Sequence, residues 1–551
     1  MRLCPKHKPG AYAAVMALVA VAALLLLRKP ELLNAYTYSD RIYDRNGQLL
    51  HLGLSLDDKY RIRVPLQEIP PVARKALLLY EDRWFYEHPG VNPASMLRAV
   101  WQMLTGGRRQ GASTLTMQVA RIVYHIDSSS VSGKLLQIVR ALQLEIFYSK
   151  DEILEAYFNL APYGGNIEGI AAAAQVWFNT PVSRLNLPQI LTLTVIPQNP
   201  VKRSPATPAG LKNAEAAAAR LKELWREKHP VSADDDLNLP LSSGRFLPHE
   251  APHAVRRLRE TARGKIAATL DENLQKQTEA ILSKYVKDNA GRGIFNAAAI
   301  LVDYKTAEVL AAVGSADFFN EKIDGQVDGT AALRSPGSAL KPFIYALALD
   351  QGLIHPRTML KDVPKNYGLY TPENFDRSFY GLVNATQALV YSRNIPAVDL
   401  LLRLEENSFY QMLEKAGVKK LKTPGYYGLA LALGGAEVSA QDLAALYAML
   451  GNGGKFRPLR WRKDEPQLPE TAMLSPEAAF LTLDMLSYNA PVDRRRLPFA
   501  KRSGTPYKVY WKTGTSYGYK DAWAAGLFGD FVLVVWVGNF DGTPNPAFTG
   551  R

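Results

Sequence analysis

The sequence predicts a multi-domain chain: an N-terminal transmembrane helix, a mainly α-helical domain, and an α+β domain built on an antiparallel sheet. Three observations predict it. The chain has 551 residues, too many for one hydrophobic core when domains hold roughly 100–200 residues. Residues 11–27 form an uninterrupted apolar run. Up to about residue 228 apolar side chains recur at three- and four-residue spacing, whereas beyond Gly264 strand-like runs stand between helical ones.

The apolar run follows Arg2, Lys6 and Lys8 and precedes Arg28 and Lys29. As a helix it is just long enough to cross a thin bilayer. Ala20-Val21-Ala22 has the small residues of a cleavage site, but residues 23–27 continue the run, so an uncleaved anchor is favoured over a cleaved signal peptide. Residues 1–10 are then a cytoplasmic tail, and the large C-terminal part is exported.

Hydrophobic residues make up 47% and charged residues 21%, a globular rather than a disordered balance. The net charge of +14 suits an anionic partner such as nucleic acid, an acidic membrane surface or a phosphorylated substrate, but on charge alone a generally basic solvated surface is favoured; no nucleic-acid partner is expected. Cys4 is the sole cysteine, which excludes disulfides and cysteine-based zinc sites. The histidines are scattered, so no protein-built metal site is expected.

Residues 40–65 look strand-rich, with a turn at Asn46-Gly47. Helical spacing follows over 72–80, 94–104, 113–124, 134–148, 151–159 and 214–228, the last stopped by Pro230. These place a helical domain at 40–228. Residues 229–263, rich in Pro, Asp, Ser, His and Arg, read as a linker. The second domain covers 264–551, with strands at 296–303, 308–314 and 531–537 and helices at 338–349 and 440–450. Its C-terminus is expected to be truncated. The helix at 94–104, with Met96, Leu97, Val100, Trp101 and Leu104, is either a membrane-dipping surface or a core helix.

The second domain carries a first chemical signal in Ser335-Pro336-Gly337-Ser338-Ala339-Leu340-Lys341. Pro336-Gly337 punctuates a helix start. Ser338 then sits at a helix N-terminus, with Lys341 on the same face three residues later. A serine hydroxyl is a poor nucleophile until a base takes its proton, and a desolvated lysine can be that base. Alone, Ser-x-x-Lys is common and most often marks a helix cap and a surface lysine. Here Ser392-Arg393-Asn394 and Lys512-Thr513-Gly514-Thr515 follow it. Those three elements, in that order, are shared by serine β-lactamases and penicillin-binding proteins. With residues 372–376, 385–398 and Asp521-Ala522-Trp523, the domain resembles the serine transpeptidase domain of penicillin-binding proteins.

The first domain carries Glu81-Asp82-Arg83-Trp84-Phe85-Tyr86-Glu87-His88-Pro89-Gly90, then Gly111-Ala112-Ser113-Thr114-Leu115-Thr116-Met117-Gln118, then Lys150-Asp151-Glu152-Ile153-Leu154-Glu155-Ala156-Tyr157-Phe158-Asn159. An acidic pair after an apolar helix can supply a general base, and a Gly/Ser/Thr loop opening a helix can hold phosphate. Each motif alone is more often a solvated pair or a cap. Together they resemble the family 51 peptidoglycan glycosyltransferase module over residues 41–228. The whole chain resembles the class A, bifunctional penicillin-binding proteins.

That resemblance implies a lysozyme-like glycosyltransferase fold and two activities. Glu81 would deprotonate the sugar 4-hydroxyl of lipid II. Ser113, Thr114 and Gln118 would bind substrate; Lys134, Lys150 and Arg121 would stabilise the lipid pyrophosphate leaving group. The resemblance implies no tightly bound cofactor, with Mg²⁺ or Mn²⁺ as the divalent cation that would bridge the phosphates. In the second domain Ser338 would attack a D-Ala-D-Ala stem peptide, activated by Lys341. Ser392 and Asn394 would relay protons and orient substrate. Lys512 and Thr513 would receive the substrate carboxylate, and the backbone N–H groups of Ser338 and Thr515, beside Gly514, would form the oxyanion hole. Implied partners are lipid II, nascent glycan strands, stem peptides, β-lactams, the membrane and other cell-wall proteins. The implied location is the inner membrane, single-pass, with both domains in the periplasm.

One departure stands out. The family's third motif reads Arg-Lys-x-x-Glu, whereas this chain reads Gly133-Lys134-Leu135-Leu136-Gln137. Gln137, at a substrate-site position, cannot carry charge. The alternative reading is therefore a penicillin-binding scaffold with a weak or vestigial glycosyltransferase. A third, a β-lactamase-like hydrolase, needs neither the anchor nor the first module.

Overall fold

The computed structural model describes residues 29–94, 113–229, 244–368, 370–406, 408–489 and 508–550, together with residues 16, 18, 19 and 23. The apolar run at 11–27 and the helix expected at 94–104 thus lie almost wholly outside the described residues. Among the described residues no helix is long and apolar enough to cross a membrane. The chain divides into two compact units: Met1–Arg41 with Leu52–Pro248, and Ile42–His51 with His249–Arg551.

The first unit is helical: α1 (Pro71–Glu81), α2 (Leu115–Val123), α3 (Val131–Phe147), α4 (Lys150–Leu160), α5 (Ile170–Phe178), α6 (Leu187–Val195) and α7 (Pro208–Lys228). Their starts are written in the sequence. The side chains of Thr114, Ser130, Ser149, Asn186 and Thr207 each accept a backbone N–H from the first turn of the helix they precede. Such caps satisfy donors that would otherwise lack partners, each contributing about 1 kcal/mol. The core runs through α4 and α5, where Ile153, Leu154, Ala156, Ala172, Ala173, Ala174 and Trp177 are fully buried.

The second unit is built on a five-stranded antiparallel sheet of β1 (Asn296–Asp303), β2 (Glu308–Val313), β3 (Val509–Thr515), β4 (Asp521–Phe528) and β5 (Phe531–Gly538). Its order is β3-β4-β5-β1-β2. The last strand in sequence pairs with the first, from Phe531 opposite Asp303 to Gly538 opposite Asn296. Strand alternation sorts the side chains onto two faces. Ala297, Ala299 and Val313 meet Leu282 and Val286 of α8 (Glu272–Asn289). Ile300, Val302, Val532, Val534 and Trp536 face the main core. That core also holds α9 (Lys341–Asp350), α10 (Ala385–Val390), α11 (Asn394–Arg403), α12 (Ala440–Gly451) and α13 (Pro476–Ser487).

Two segments differ from their expected place. The hairpin at 42–51 belongs to the second unit, because Ile42 and Leu50 are fully buried in its core and the Ala268 N–H donates to Tyr43 O at 2.8 Å. Within the stretch expected as a linker, Pro252–Thr261 is a helix that buries His253, Ala254, Val255 and Leu258. Its single apolar stripe is hidden in the composition by the arginines between those positions.

Candidate active sites

α1 ends at Glu81 because Asp82 leaves helical geometry, with φ −159° and ψ 82°. The Asp82 carboxylate accepts from His88 Nε2 at 3.0 Å and from the Leu115 N–H at 3.0 Å. His88 Nδ1 accepts from the Gly90 N–H at 3.2 Å, which puts the ring proton on Nε2. Thr114 Oγ1 donates to Gly90 O at 2.6 Å and accepts from the Met117 N–H at 3.1 Å. The loop after α1 and the start of α2 are therefore one hydrogen-bonded body. It brings Gln118 to Glu81, and Gln118 Nε2 donates to Glu81 Oε2 at 2.8 Å.

Glu81 Oε1 is buried and has no hydrogen-bond partner among the described residues. Burial pushes the Glu81 carboxyl above its ordinary value; the Gln118 hydrogen bond and the charge of Arg203 oppose the shift without cancelling it. A carboxylate with a raised pKa and an open oxygen can take a proton from a substrate hydroxyl. The Tyr157 hydroxyl is also buried without a partner. Burial, reinforced by the charge of Glu81, holds it well above the ordinary tyrosine value.

Beside this pair lies a cationic cluster. Lys134 Nζ donates to Ser113 Oγ at 2.8 Å and to Gln137 Oε1 at 2.8 Å. Gln137 Nε2 donates to Met117 O at 2.6 Å. Burial and then the charge of Arg121 lower the Lys134 ammonium below its ordinary value. Lys150 is differently placed. Its Nζ donates to Glu145 Oε1 at 2.7 Å and to His88 O at 2.6 Å, and it sits 4.6 Å from the centroid of the Phe85 ring. Thr116 Oγ1 donates to the same Glu145 oxygen at 2.5 Å.

In the second unit Ser338 lies on a 3₁₀ turn, Gly337–Leu340, and α9 begins only at Lys341. Gly337 has φ +52°, and a Cβ there would collide with Thr515 O. A Cβ on Gly514 would collide with Pro336 O. Only glycines let β3 pass this close to the serine turn. The turn is held by Trp523 Nε1, which donates to Ser335 O at 2.9 Å, and by Tyr447 Oη, which donates to Ala339 O at 2.8 Å.

Lys341 is fully buried. Its Nζ donates to Ser392 O at 2.8 Å, Arg393 O at 3.2 Å and Asn394 Oδ1 at 2.6 Å. Ser392 adopts φ +60°, a left-handed geometry costing about 1–3 kcal/mol. Burial, then the charges of Lys512 and Arg393, hold the Lys341 ammonium well below its ordinary value. Lys512 Nζ donates to Ser392 Oγ at 2.8 Å and to Thr513 O at 2.9 Å. The Ser338 hydroxyl is half-buried and makes no hydrogen bond among the described residues. A lysine whose ammonium form is disfavoured, one helical turn from a serine hydroxyl, can serve as the base that generates a nucleophile.

A transglycosylase family model matches residues 46–227, and a penicillin binding protein transpeptidase domain model matches residues 297–537. Penicillin-binding protein 1C of Escherichia coli (strain K12) is 38% identical over 508 residues, covering 91% of this chain and 64% of that protein. Penicillin-binding protein 2D of Bacillus subtilis (strain 168) is 30% identical over 479 residues, covering 81% of this chain and 67% of that protein. The chain belongs to the class A penicillin-binding protein family. Its fold is similar to the crystal structure of penicillin-binding protein 1A from Haemophilus influenzae, with a TM-score of 0.53, 17% identity, and coverage of 95% of this chain and 91% of that one. This penicillin-binding protein spans 64% of the length of the E. coli relative.

Of the residues singled out from sequence, Glu81, Ser113, Thr114, Gln118, Arg121, Lys134 and Gln137 come together in the first unit. Ser338, Lys341, Ser392, Asn394 and Lys512 converge in the second, with Thr513, Gly514 and Thr515 on β3. Gln137 is 1% exposed, and both ends of its amide are engaged, by Lys134 Nζ and Met117 O. Lys150 is paired with Glu145 and also donates to His88 O.

Sequence reasoning passed over Tyr157, Arg203, Asp362, Asn374 and Asp376. Asn374 Oδ1 accepts the Asn394 N–H at 2.7 Å, and Asn374 Nδ2 donates to Asp362 Oδ1 at 2.7 Å. Arg393 Nε donates to Asp362 Oδ2 at 2.7 Å, and its Nη1 donates to Asp376 Oδ2 at 2.9 Å. Asn374 and Asp376 stand in the run that carried the resemblance, and that run was the available signal.

Among the described residues, the carboxylates around Glu81 do not form a set that fits a protein-held divalent ion. Asp82 is bound by His88 and the Leu115 N–H, Glu145 by Lys150 and Thr116, and position 137 offers an amide. The open oxygen of Glu81 falls short of the several oxygens a hard cation requires.

Proposed function

We propose that this chain polymerises lipid II into glycan strands and cross-links stem peptides through a Ser338 acyl-enzyme, which β-lactams also form. The observation that carries the reading is Lys341: a buried lysine, depressed in pKa, enclosed by the 392–394 turn and one helical turn on from Ser338. Neutral Lys341 takes the Ser338 proton as Oγ attacks the penultimate D-Ala carbonyl carbon. The N–H groups of Ser338 and Thr515 receive the oxyanion. Asn394 orients the substrate and the Ser392 hydroxyl passes the proton from Lys341 to the departing D-Ala amine, while Lys512 and Thr513 hold the terminal carboxylate. The amine of a second stem peptide then attacks the ester and releases Ser338.

In the glycosyltransferase site Glu81 Oε1 accepts the 4-hydroxyl proton of the acceptor, and that oxygen attacks C1 of the donor with inversion. The lipid diphosphate leaves toward Lys134 and Arg121, with Ser113, Thr114 and Gln118 lining the approach. Any Mg²⁺ or Mn²⁺ ion would be held by the substrate's own phosphates. Residues 11–27 would anchor the chain in the inner membrane as a single pass, both domains lying in the periplasm among other cell-wall proteins.

Incubation with lipid II, with and without penicillin, followed by chain-length and cross-link analysis, tests the reading. Glycan strands in both samples, with cross-links only without penicillin, support both activities. Labelling by penicillin with no strands under any metal would leave the scaffold reading. Rapid penicillin turnover would point to a hydrolase.

A further inference from the structure

The amide at position 137 stands where the family's third motif has a carboxylate, and the structure gives that exchange a consequence. A lysine ammonium can only donate, so the Gln137 oxygen must face Lys134. A peptide carbonyl can only accept, so the Gln137 nitrogen must face Met117 O. Both bonds are made, at 2.8 and 2.6 Å, in a side chain only 1% exposed. A carboxylate here could serve Lys134 but would press a second oxygen against Met117 O.

The charge pattern around Lys134 follows from this. Its two side-chain partners, Ser113 Oγ and Gln137 Oε1, are neutral. Glu145 lies on the same helix but is engaged by Lys150 and Thr116. Arg121 acts on Lys134 by repulsion, and its side chain makes no hydrogen bond or ion pair among the described residues. Glu81 has its own donor in Gln118. Arg121 also acts on the Glu81 carboxylate by charge, so the cation left without a carboxylate among its described side-chain partners is Lys134; it is partly desolvated, where attraction to an anion is strongest.

We propose that Gln137 is a positioning residue that stations Lys134 as an uncompensated cation, so that with Arg121 this site binds a polyprenyl diphosphate without a divalent ion. The inference rests on the glycosyltransferase reading for its substrate class. A carboxylate at 137 neutralises Lys134 and restores the need for a metal to offset the diphosphate charge. Here the amide dipole aims the lysine and leaves its charge for the ligand.

The test is titration calorimetry of the full chain in detergent with geranylgeranyl diphosphate, in EDTA and in excess Mg²⁺. Wild type should bind equally in both. Gln137→Glu should bind at least about tenfold more weakly in EDTA, a loss of about 1.4 kcal/mol, and recover with Mg²⁺. Gln137→Met, which drops both hydrogen bonds and adds no charge, should bind more weakly but remain indifferent to EDTA. A purely structural role would weaken both variants without any metal signature.

Wild-type binding that falls tenfold in EDTA would overturn the proposal, as would Gln137→Glu binding like wild type in EDTA. Should Gln137→Glu fail to fold, the EDTA response of wild type and Gln137→Met still decides it. Metal-independent diphosphate binding by a chain that makes no glycan would sink the polymerisation reading and leave this one standing.

Discussion

Lys512 Nζ donates to the Ser392 hydroxyl at 2.8 Å, joining β3 to the loop whose carbonyls enclose Lys341. That bond occupies an acceptor lone pair of Ser392 and leaves its O–H to be given elsewhere. It also sets a second positive charge beside Lys341, the largest influence after burial on that lysine's depressed pKa.

The first prediction concerns pH. Acylation of Ser338 needs neutral Lys341, so its rate should rise with pH through the depressed Lys341 pKa and then level. Removing the Lys512 charge removes a cause of the depression. Lys512→Gln should therefore move that limb to higher pH, besides weakening carboxylate recognition. Stopped-flow acylation by penicillin across pH reads the limb directly, and a limb that stays put or falls in Lys512→Gln would contradict the assignment.

Arg393 bridges Asp362, which is fully buried, and Asp376, whose carboxyl its hydrogen bond holds down at about 2. It also stacks 4.1 Å from the centroid of the Tyr380 ring. Arg393→Leu leaves Asp362 without its cation and should cost about 3–5 kcal/mol of stability. Arg393→Asp, the residue of the Ser-Asp-Asn spelling, adds a third carboxylate and should be worse still. Thermal melting decides the order, and an unchanged Tm in Arg393→Asp would refute it.

Tyr157 offers a cleaner separation of activity from stability. Its hydroxyl is buried and unpartnered, an arrangement that costs about 1–3 kcal/mol. Tyr157→Phe should therefore melt at or above the wild-type temperature. If that hydroxyl meets the acceptor sugar beside Glu81, polymerisation should still fall about tenfold, the value of one lost hydrogen bond. Lower stability with unchanged polymerisation would make Tyr157 a core residue and nothing more.

Glu81 must be ionised to accept a proton, and burial raises its pKa. Polymerisation should therefore fail on the acid side at a higher pH than an ordinary glutamate would dictate. Gln118→Leu removes the bond that favours the ionised form and should push the limb higher again. Glu81→Gln should cost about 10²–10⁴-fold in rate while leaving penicillin labelling intact. Lipid II assays across pH, run beside penicillin labelling, measure both.

Gly514→Ala tests the close passage of β3 over the serine turn. A Cβ there runs into Pro336 O and lies 3.1 Å from the Ala339 Cβ, so the turn must shift. Penicillin acylation should fall by at least about tenfold, since a displacement of about 1 Å from productive geometry can cost 10²-fold. Acylation at the wild-type rate would show that the turn gives way freely.

Helix periods, caps and motif order were legible along the chain because they are local: Thr114, Ser130 and Ser149 stand at the starts of their helices, and continuous apolar runs mark β1 and β5. Ser338, Lys341, Ser392 and Lys512 could be named from their order alone. What the order could not reveal is the company each side chain keeps. Gln137 reads as a lost carboxylate in one dimension and proves to be the clamp on Lys134. Lys150 reads as a cation for the leaving group, and the structure pairs it with Glu145. Arg393 reads as a tolerated spelling and proves to fill a site that Asp362 and Asp376 make. Partners of this kind are distant in sequence, and burial and charge compensation are properties of the packed chain. Local pattern settled the folds and the chemical cast; which groups remain free to act was settled only when packing brought donors, acceptors and charges together.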